Sequence, residues 1–154
     1  MQEFLLMIHP TTGALAIFCA IWFAVEVLNA SDKNRGRIRL AALSSMWFMV
    51  ATWIAGGYWY VVYYAANKAI ILKSTWPFAH TFFMEAKEHA FFITLVLSIY
   101  LAIVARREDF VGNRSARVLV LWVAALVIIS AFAMEGAGSL ISMGVRVGLA
   151  QPGI

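Results

Sequence analysis

The segment RVLVLWVAALVIISAFAM, residues 117–134, carries its only charge on its first residue, Arg117. As an α-helix it would span about 27 Å, which is close to the roughly 30 Å hydrocarbon thickness of a bilayer. The whole chain is 63% hydrophobic and only 13% charged, whereas soluble domains are about 25% charged. Such a chain has too little polar surface to cover a globule in water. The segment is therefore predicted to be a transmembrane helix.

Three further apolar runs of similar length precede this segment. We predict four spans, at about residues 10–28, 41–64, 78–105 and 117–135. The connections are short and leave no room for a separate soluble domain. The predicted fold is therefore all-α: residues 1–154 form one polytopic membrane domain, a four-transmembrane-helix bundle. His9-Pro10 is predicted to open the first helix, and the aromatic residues from Tyr58 to Tyr64 are predicted to form an interfacial belt.

Lysine and arginine are concentrated at two of the predicted loops. By the positive-inside rule these basic loops are cytoplasmic, which makes the protein N-out/C-out. We expect an integral membrane protein of the bacterial inner (cytoplasmic) membrane. The first apolar run lacks the positively charged start of a signal peptide and is expected to be retained. Because the cations separate apolar runs and form no single patch, no nucleic-acid partner is expected. The cations of the two loops are Lys33, Arg35, Arg37, Arg39, Arg106, Arg107, Arg114 and Arg117.

Several ionisable residues fall within or beside the predicted spans, where each costs about 2.5 to 3.5 kcal/mol on insertion scales. The apolar run from residue 90 to 105 covers only about 24 Å of the bilayer, so His89 is predicted to lie inside the outer leaflet. His9 enters the first span from the same side, and Glu135 lies about 27 Å along the fourth span from Arg117. Three helices are thus expected to bring polar groups to one level. The full set is His9, Glu26, His80, Glu85, Lys87, Glu88, His89 and Glu135.

Neutral imidazole is a usual axial ligand of haem, and the core of a four-helix bundle offers a flat apolar slot. Glu85 and His89 share one helix face as an i,i+4 pair, whereas His80 points to the opposite side. A shared ligand for His89 must therefore come from another helix. We predict a b-type haem in the outer half of the bundle with His89 and His9 as its ligands, and His80 in reserve.

In its four-span layout and the placement of His9 and His89, the chain loosely resembles the small four-helix membrane cytochromes of b type. This resemblance implies electron transfer by a haem-carrying membrane subunit, with quinone as a candidate electron donor or acceptor. It also implies further membrane or outer-face redox subunits as partners. A chain this small is expected to be one part of a larger complex rather than a self-sufficient enzyme.

Two alternatives remain open at the level of sequence. The first is a non-haem site that binds zinc, iron or copper through His9, His89, Glu85 and Glu135, which offer suitable imidazole and carboxylate ligands. The second is an accessory structural subunit without a cofactor, whose small residues pack against a larger membrane complex. Glu26 is assigned no role in either site, because it lies near the cytoplasmic end of span one and is expected to reach the interface or an arginine there.

Overall fold

The computed structural model describes residues 2–151 as four long helices joined by short connections. Helix α1 runs over Gln2–Leu28, α2 over Arg35–Lys73, α3 over Glu85–Arg107 and α4 over Arg114–Leu149. A 3-10 turn, Asp32–Asn34, precedes α2, and a π-helical segment, Ala79–Met84, leads directly into α3. No strand occurs between residues 2 and 151. The prediction of four helices long and apolar enough to cross a membrane is confirmed.

Helix α1 begins before the predicted span, and Pro10 lies inside it. The prediction that His9-Pro10 opens the helix is therefore wrong. Proline removes the backbone donor that the carbonyl of Leu6 would otherwise accept from, and the two residues after Pro10 bond through their hydroxyl groups to the next two carbonyls. The Thr11 hydroxyl donates to the carbonyl of Met7 at 2.7 Å, and that of Thr12 donates to the carbonyl of Ile8 at 2.8 Å.

Helix α4 continues well past the Glu135–Gly138 segment at which the predicted span ends. Its glycines allow close packing rather than ending the helix. A Cβ atom on Gly144 would lie 2.7 Å from the Cβ of Ala79, and one on Gly148 would lie 2.5 Å from Cγ2 of Ile70. Tertiary contacts with α2 and the π-helical segment therefore outweigh the low helix propensity of glycine.

Two clusters of buried side chains hold the helices together. The larger one fills the bundle, where fully buried alanines such as Ala16, Ala20 and Ala124 let the backbones approach closely. Hydroxyl groups join neighbouring helices inside it: Ser45 donates to the carbonyl of Ala16 at 3.0 Å. The smaller cluster, called here the second core, lies toward the C-terminal end of α2. It consists of Tyr64, Ile71, Ala79, Met84 and Ile141.

The predicted aromatic belt is divided between two environments. Tyr58 is 52% exposed, whereas Tyr64 is 2% exposed and belongs to the second core. The residues predicted to form one interfacial belt therefore include a side chain of the core, because successive residues of a helix face different directions.

The loops that carry most of the cations meet at one end of the bundle, called here the basic end. Arg35 bridges to Asp109 at 2.9 Å, which joins the start of α2 to the α3–α4 loop. Arg37 pairs with Glu26 at 2.9 Å, so the expectation that Glu26 reaches an arginine is confirmed. The backbone N–H of Val111, and then Arg35, hold the pKa of the Asp109 carboxyl below its usual value.

Candidate functional site

A cavity of about 590 Å³ opens between the helices at the end opposite the basic end. Its volume falls within the range of small-molecule and cofactor sites. All four helices contribute to its wall, and most of the wall is apolar. The apolar side chains include Leu5, Leu6, Trp53, Trp59, Met84, Phe91, Ile141 and Met143; the ionisable ones are His9, Tyr60, Lys87, Glu88, Glu135 and Arg146.

His9 is held firmly in this wall by α2. Its Nδ1 atom lies 3.0 Å from the backbone carbonyl of Thr52, which can only accept, so Nδ1 carries the proton and donates it. Nε2 is thereby the ring nitrogen with a free lone pair. The Thr52 hydroxyl also donates to the Thr12 hydroxyl at 2.7 Å and ties α1 to α2 one turn deeper.

The imidazole of His9 rests directly on the backbone of α2 at Gly56. A Cβ atom built on Gly56 would lie 2.5 Å from both Nδ1 and Cε1 of the ring. On its other side the ring lies 6.4 Å, between centroids, from the ring of Phe91 on α3. Only glycine at position 56 leaves room for the imidazole in this position.

Lys87 and Glu135 bring two charged groups to the same cavity from α3 and α4. A Cβ atom built on Gly138 would lie 2.9 Å from Nζ of Lys87, so the lysine reaches across to α4. The Glu135 carboxylate instead lies against the backbone of Gly13 on α1. His9, Lys87 and Glu135 also line a smaller pocket that continues the cavity inward. Three helices therefore bring three ionisable groups together.

His89 and His80 lie outside this cavity wall. His89 is exposed on α3, and its Nδ1 donates to the carbonyl of Glu85, one turn earlier, at 2.7 Å. His80 is only 4% exposed; its Nδ1 shares a 3.1 Å hydrogen bond with the Tyr64 hydroxyl in the second core. Its Nε2 lies 3.9 Å from Oε1 of Glu85. The structure thus places the three predicted haem ligands in three separate environments.

The residues of the predicted non-haem metal site are also divided. His9 and Glu135 line the cavity, whereas Glu85 and His89 do not. Within residues 2–151 no group of three or more histidine, cysteine, aspartate or glutamate side chains is close enough to hold a metal ion.

Lys87 is a cavity residue that the sequence analysis counted among the ionisable groups but not among the predicted ligands. Its signal is the pattern of α3, in which Phe91, Thr94 and Ser98 follow it at helical spacing and face the bundle. Hydroxyl residues in an otherwise aliphatic span mark the face that packs against other helices. One helical turn before Phe91, the same face of α3 includes Lys87 but not His89.

No known protein family, curated protein or solved structure matches this chain. The chemistry of the cavity is accordingly inferred from its own residues.

Proposed function

We propose that this protein is a membrane-embedded electron-transfer subunit that binds a b-type haem in the cavity, with His9 as the axial ligand. The observation that carries the proposal is the hydrogen bond that His9 makes with α2. Its Nδ1 is bound to the Thr52 carbonyl, which fixes the tautomer and leaves Nε2 for a metal. Metal-binding histidines generally have their second nitrogen oriented in this way.

The rest of the cavity suits a flat, apolar cofactor. Aromatic side chains supply much of its wall, and its volume falls in the range of such sites. The bare backbone at Gly56 and Gly138 lets groups approach α2 and α4 closely. A haem bound there would supply one-electron chemistry, and an apolar, partly closed surrounding tunes the potential of such a centre.

The proposal assigns one histidine ligand rather than two. The chain has three histidines, and His80 and His89 lie outside the cavity wall. With the positive-inside orientation the cavity lies in the outer half of the membrane, within reach of quinone and of outer-face redox subunits. The protein would then act as one component of an inner-membrane complex.

The test is a dithionite-reduced minus oxidised absorbance spectrum of the mildly solubilised protein, with a pyridine haemochrome assay for haem content. We expect a Soret band and, in the haemochrome assay, about one haem per chain. His9→Ala is expected to lose them, and His89→Ala, the matched control on α3, is expected to keep them.

Two results would contradict the proposal. Loss of the Soret band in His89→Ala but not in His9→Ala would move the ligand to α3. A featureless spectrum from a chain that co-purifies with a larger complex would favour the accessory structural subunit.

A further inference from the structure

Lys87 is a cation without a close carboxylate partner in the part of the chain that the structure describes. Within residues 2–151 no carboxylate lies within 4.0 Å of its Nζ, whereas Arg35 and Arg37 at the basic end each have a partner at about 2.9 Å. Its side chain is largely withdrawn from solvent and lies beside α4 at Gly138. An unpaired ammonium group among apolar side chains is strongly unfavourable. This arrangement favours an anion supplied by a ligand.

Neither carboxylate of the cavity forms an ion pair with Lys87 within 4.0 Å, although Glu135 lines the same inner pocket and is near enough to attract its charge. Glu135 lies against Gly13 of α1 and is one helical turn closer to the basic end than Gly138, where Lys87 lies. Glu88 is exposed at the wall. A second cation, Arg146, lies on the same wall about 12 Å further along α4 than Gly138. Along α4 the wall therefore carries the Glu135 carboxylate at its inner end and the positive charges of Lys87 and Arg146 further out, beside an apolar interior.

We propose that the cavity takes a ligand with an apolar body and at least one carboxylate, and that Lys87 holds this carboxylate. The inference deepens the proposed function, since haem is an apolar macrocycle with two carboxylate side chains. It does not depend on the iron, because a long-chain fatty acid has the same chemistry. The walls formed by Trp53, Trp59 and Phe91 receive the apolar body.

The first arm of the test uses metal-free protoporphyrin IX, which needs no imidazole ligand, and its dimethyl ester, which lacks the charges. Quenching of tryptophan fluorescence reports binding, because Trp53 and Trp59 line the cavity. We expect the acid to bind at least tenfold more tightly than the ester. Lys87→Met should abolish this preference, whereas Lys87→Arg and His9→Ala should retain it. Lys68→Met, which removes an exposed lysine from α2, is the matched control.

The second arm compares a dansyl-labelled long-chain fatty acid with its methyl ester in the same variants. Preference for the fatty acid in a chain without Soret bands would leave the inference standing and overturn the haem proposal. Equal affinity for acid and ester, no binding of either acid, or an unchanged preference in Lys87→Met would overturn the inference. A haem spectrum that persists alongside any of these results would leave the proposed function intact.

Discussion

At the scale of single residues, the cavity depends on the absence of side chains as much as on their presence. His9 occupies the space that a side chain at position 56 would fill, and the carboxylate of Glu135 occupies the corresponding space at Gly13. His9, Glu135 and Lys87 thus each lie where a neighbouring helix has no Cβ atom. Glycine in a membrane helix commonly serves this purpose, because it permits close approach to the backbone.

Gly56→Ala is expected to displace the His9 ring, because the new Cβ would overlap Nδ1 and Cε1. Overpacking of this kind typically costs about 1–3 kcal/mol. Gly57→Ala is the matched control, since no atom lies within 4 Å of its Cβ position. There the gain in helix propensity, about 1 kcal/mol, should stabilise the protein or leave it unchanged.

Thermal denaturation followed by circular dichroism measures this difference, and haem content provides a second readout. Gly56→Ala is expected to lower both values, whereas Gly57→Ala should not lower the thermal midpoint. Equal behaviour of the two variants would mean that His9 does not pack on α2 as described.

At the scale of elements, the sequence predicted the number and type of the helices but not their ends. Residues such as Gly144 and Gly148 weaken any helix prediction after Glu135, yet α4 continues to Leu149 because they pack on Ala79 and Ile70. The π-helical segment Ala79–Met84 was likewise missed. Its hydrogen bonds give no hydropathy signal, and π-helical turns occur frequently at functional sites.

Tyr64→Phe tests what anchors the π-helical segment to α2. The change removes the hydroxyl bonded to Nδ1 of His80 and leaves a buried imidazole nitrogen unsatisfied. We expect a loss of about 1–3 kcal/mol in the free energy of unfolding. In this variant, the rate of hydrogen exchange of the backbone amides should increase more in the π-helical segment than in the main bundle.

Tyr63→Phe is the matched control, since Tyr63 is its neighbour on α2 but does not belong to the second core. Comparable losses from both variants would argue that the Tyr64–His80 bond contributes nothing specific.

At the scale of the whole molecule, the long helices exceed a bilayer. Helix α2 has 39 residues and α4 has 36, which correspond to about 58 and 54 Å. The hydrocarbon layer is only about 30 Å thick. This difference explains why hydropathy predicted spans shorter than the helices. If the bundle spans a membrane, the second core and part of the cavity lie near one of its surfaces.

The orientation is tested by thiol labelling in intact cells, after replacement of the single cysteine by Cys19→Ala. The positive-inside rule predicts that Asn113→Cys, in the α3–α4 loop, is protected from an impermeant reagent. Ser115→Cys should behave in the same way, whereas Thr75→Cys, in the α2–α3 connection, should be labelled. The reverse pattern would place the cavity on the cytoplasmic side.

The Asp109 carboxylate at the basic end accepts from the backbone N–H of Val111 and pairs with Arg35, and these contacts predict a dependence of stability on pH. The folded state lowers the pKa of Asp109, so it binds the proton less readily than the unfolded chain does. The stabilisation is complete above the usual pKa of about 3.9 and is lost as the pH falls through the lower value of the folded state.

Asp109→Asn should therefore reduce the decrease in thermal midpoint between pH 6 and pH 3. Glu108→Gln, at the adjacent exposed carboxylate, is the control. If Asp109→Asn and the unmodified protein lose the same number of degrees over this range, the Arg35–Asp109 bridge has no part in the acid sensitivity.

The sequence by itself determined the fold class, the number of long helices and the end of the bundle at which the cations gather. These features follow from local properties, since a long apolar run has few alternatives to a helix and the charges lie at its ends. The tertiary structure decided which polar groups share a site. Residues His89 and Lys87 are two positions apart on α3, yet one lies on the exposed surface and the other at the cavity. That outcome depends on how α3 is rotated against α2 and α4, the long helices on which it packs.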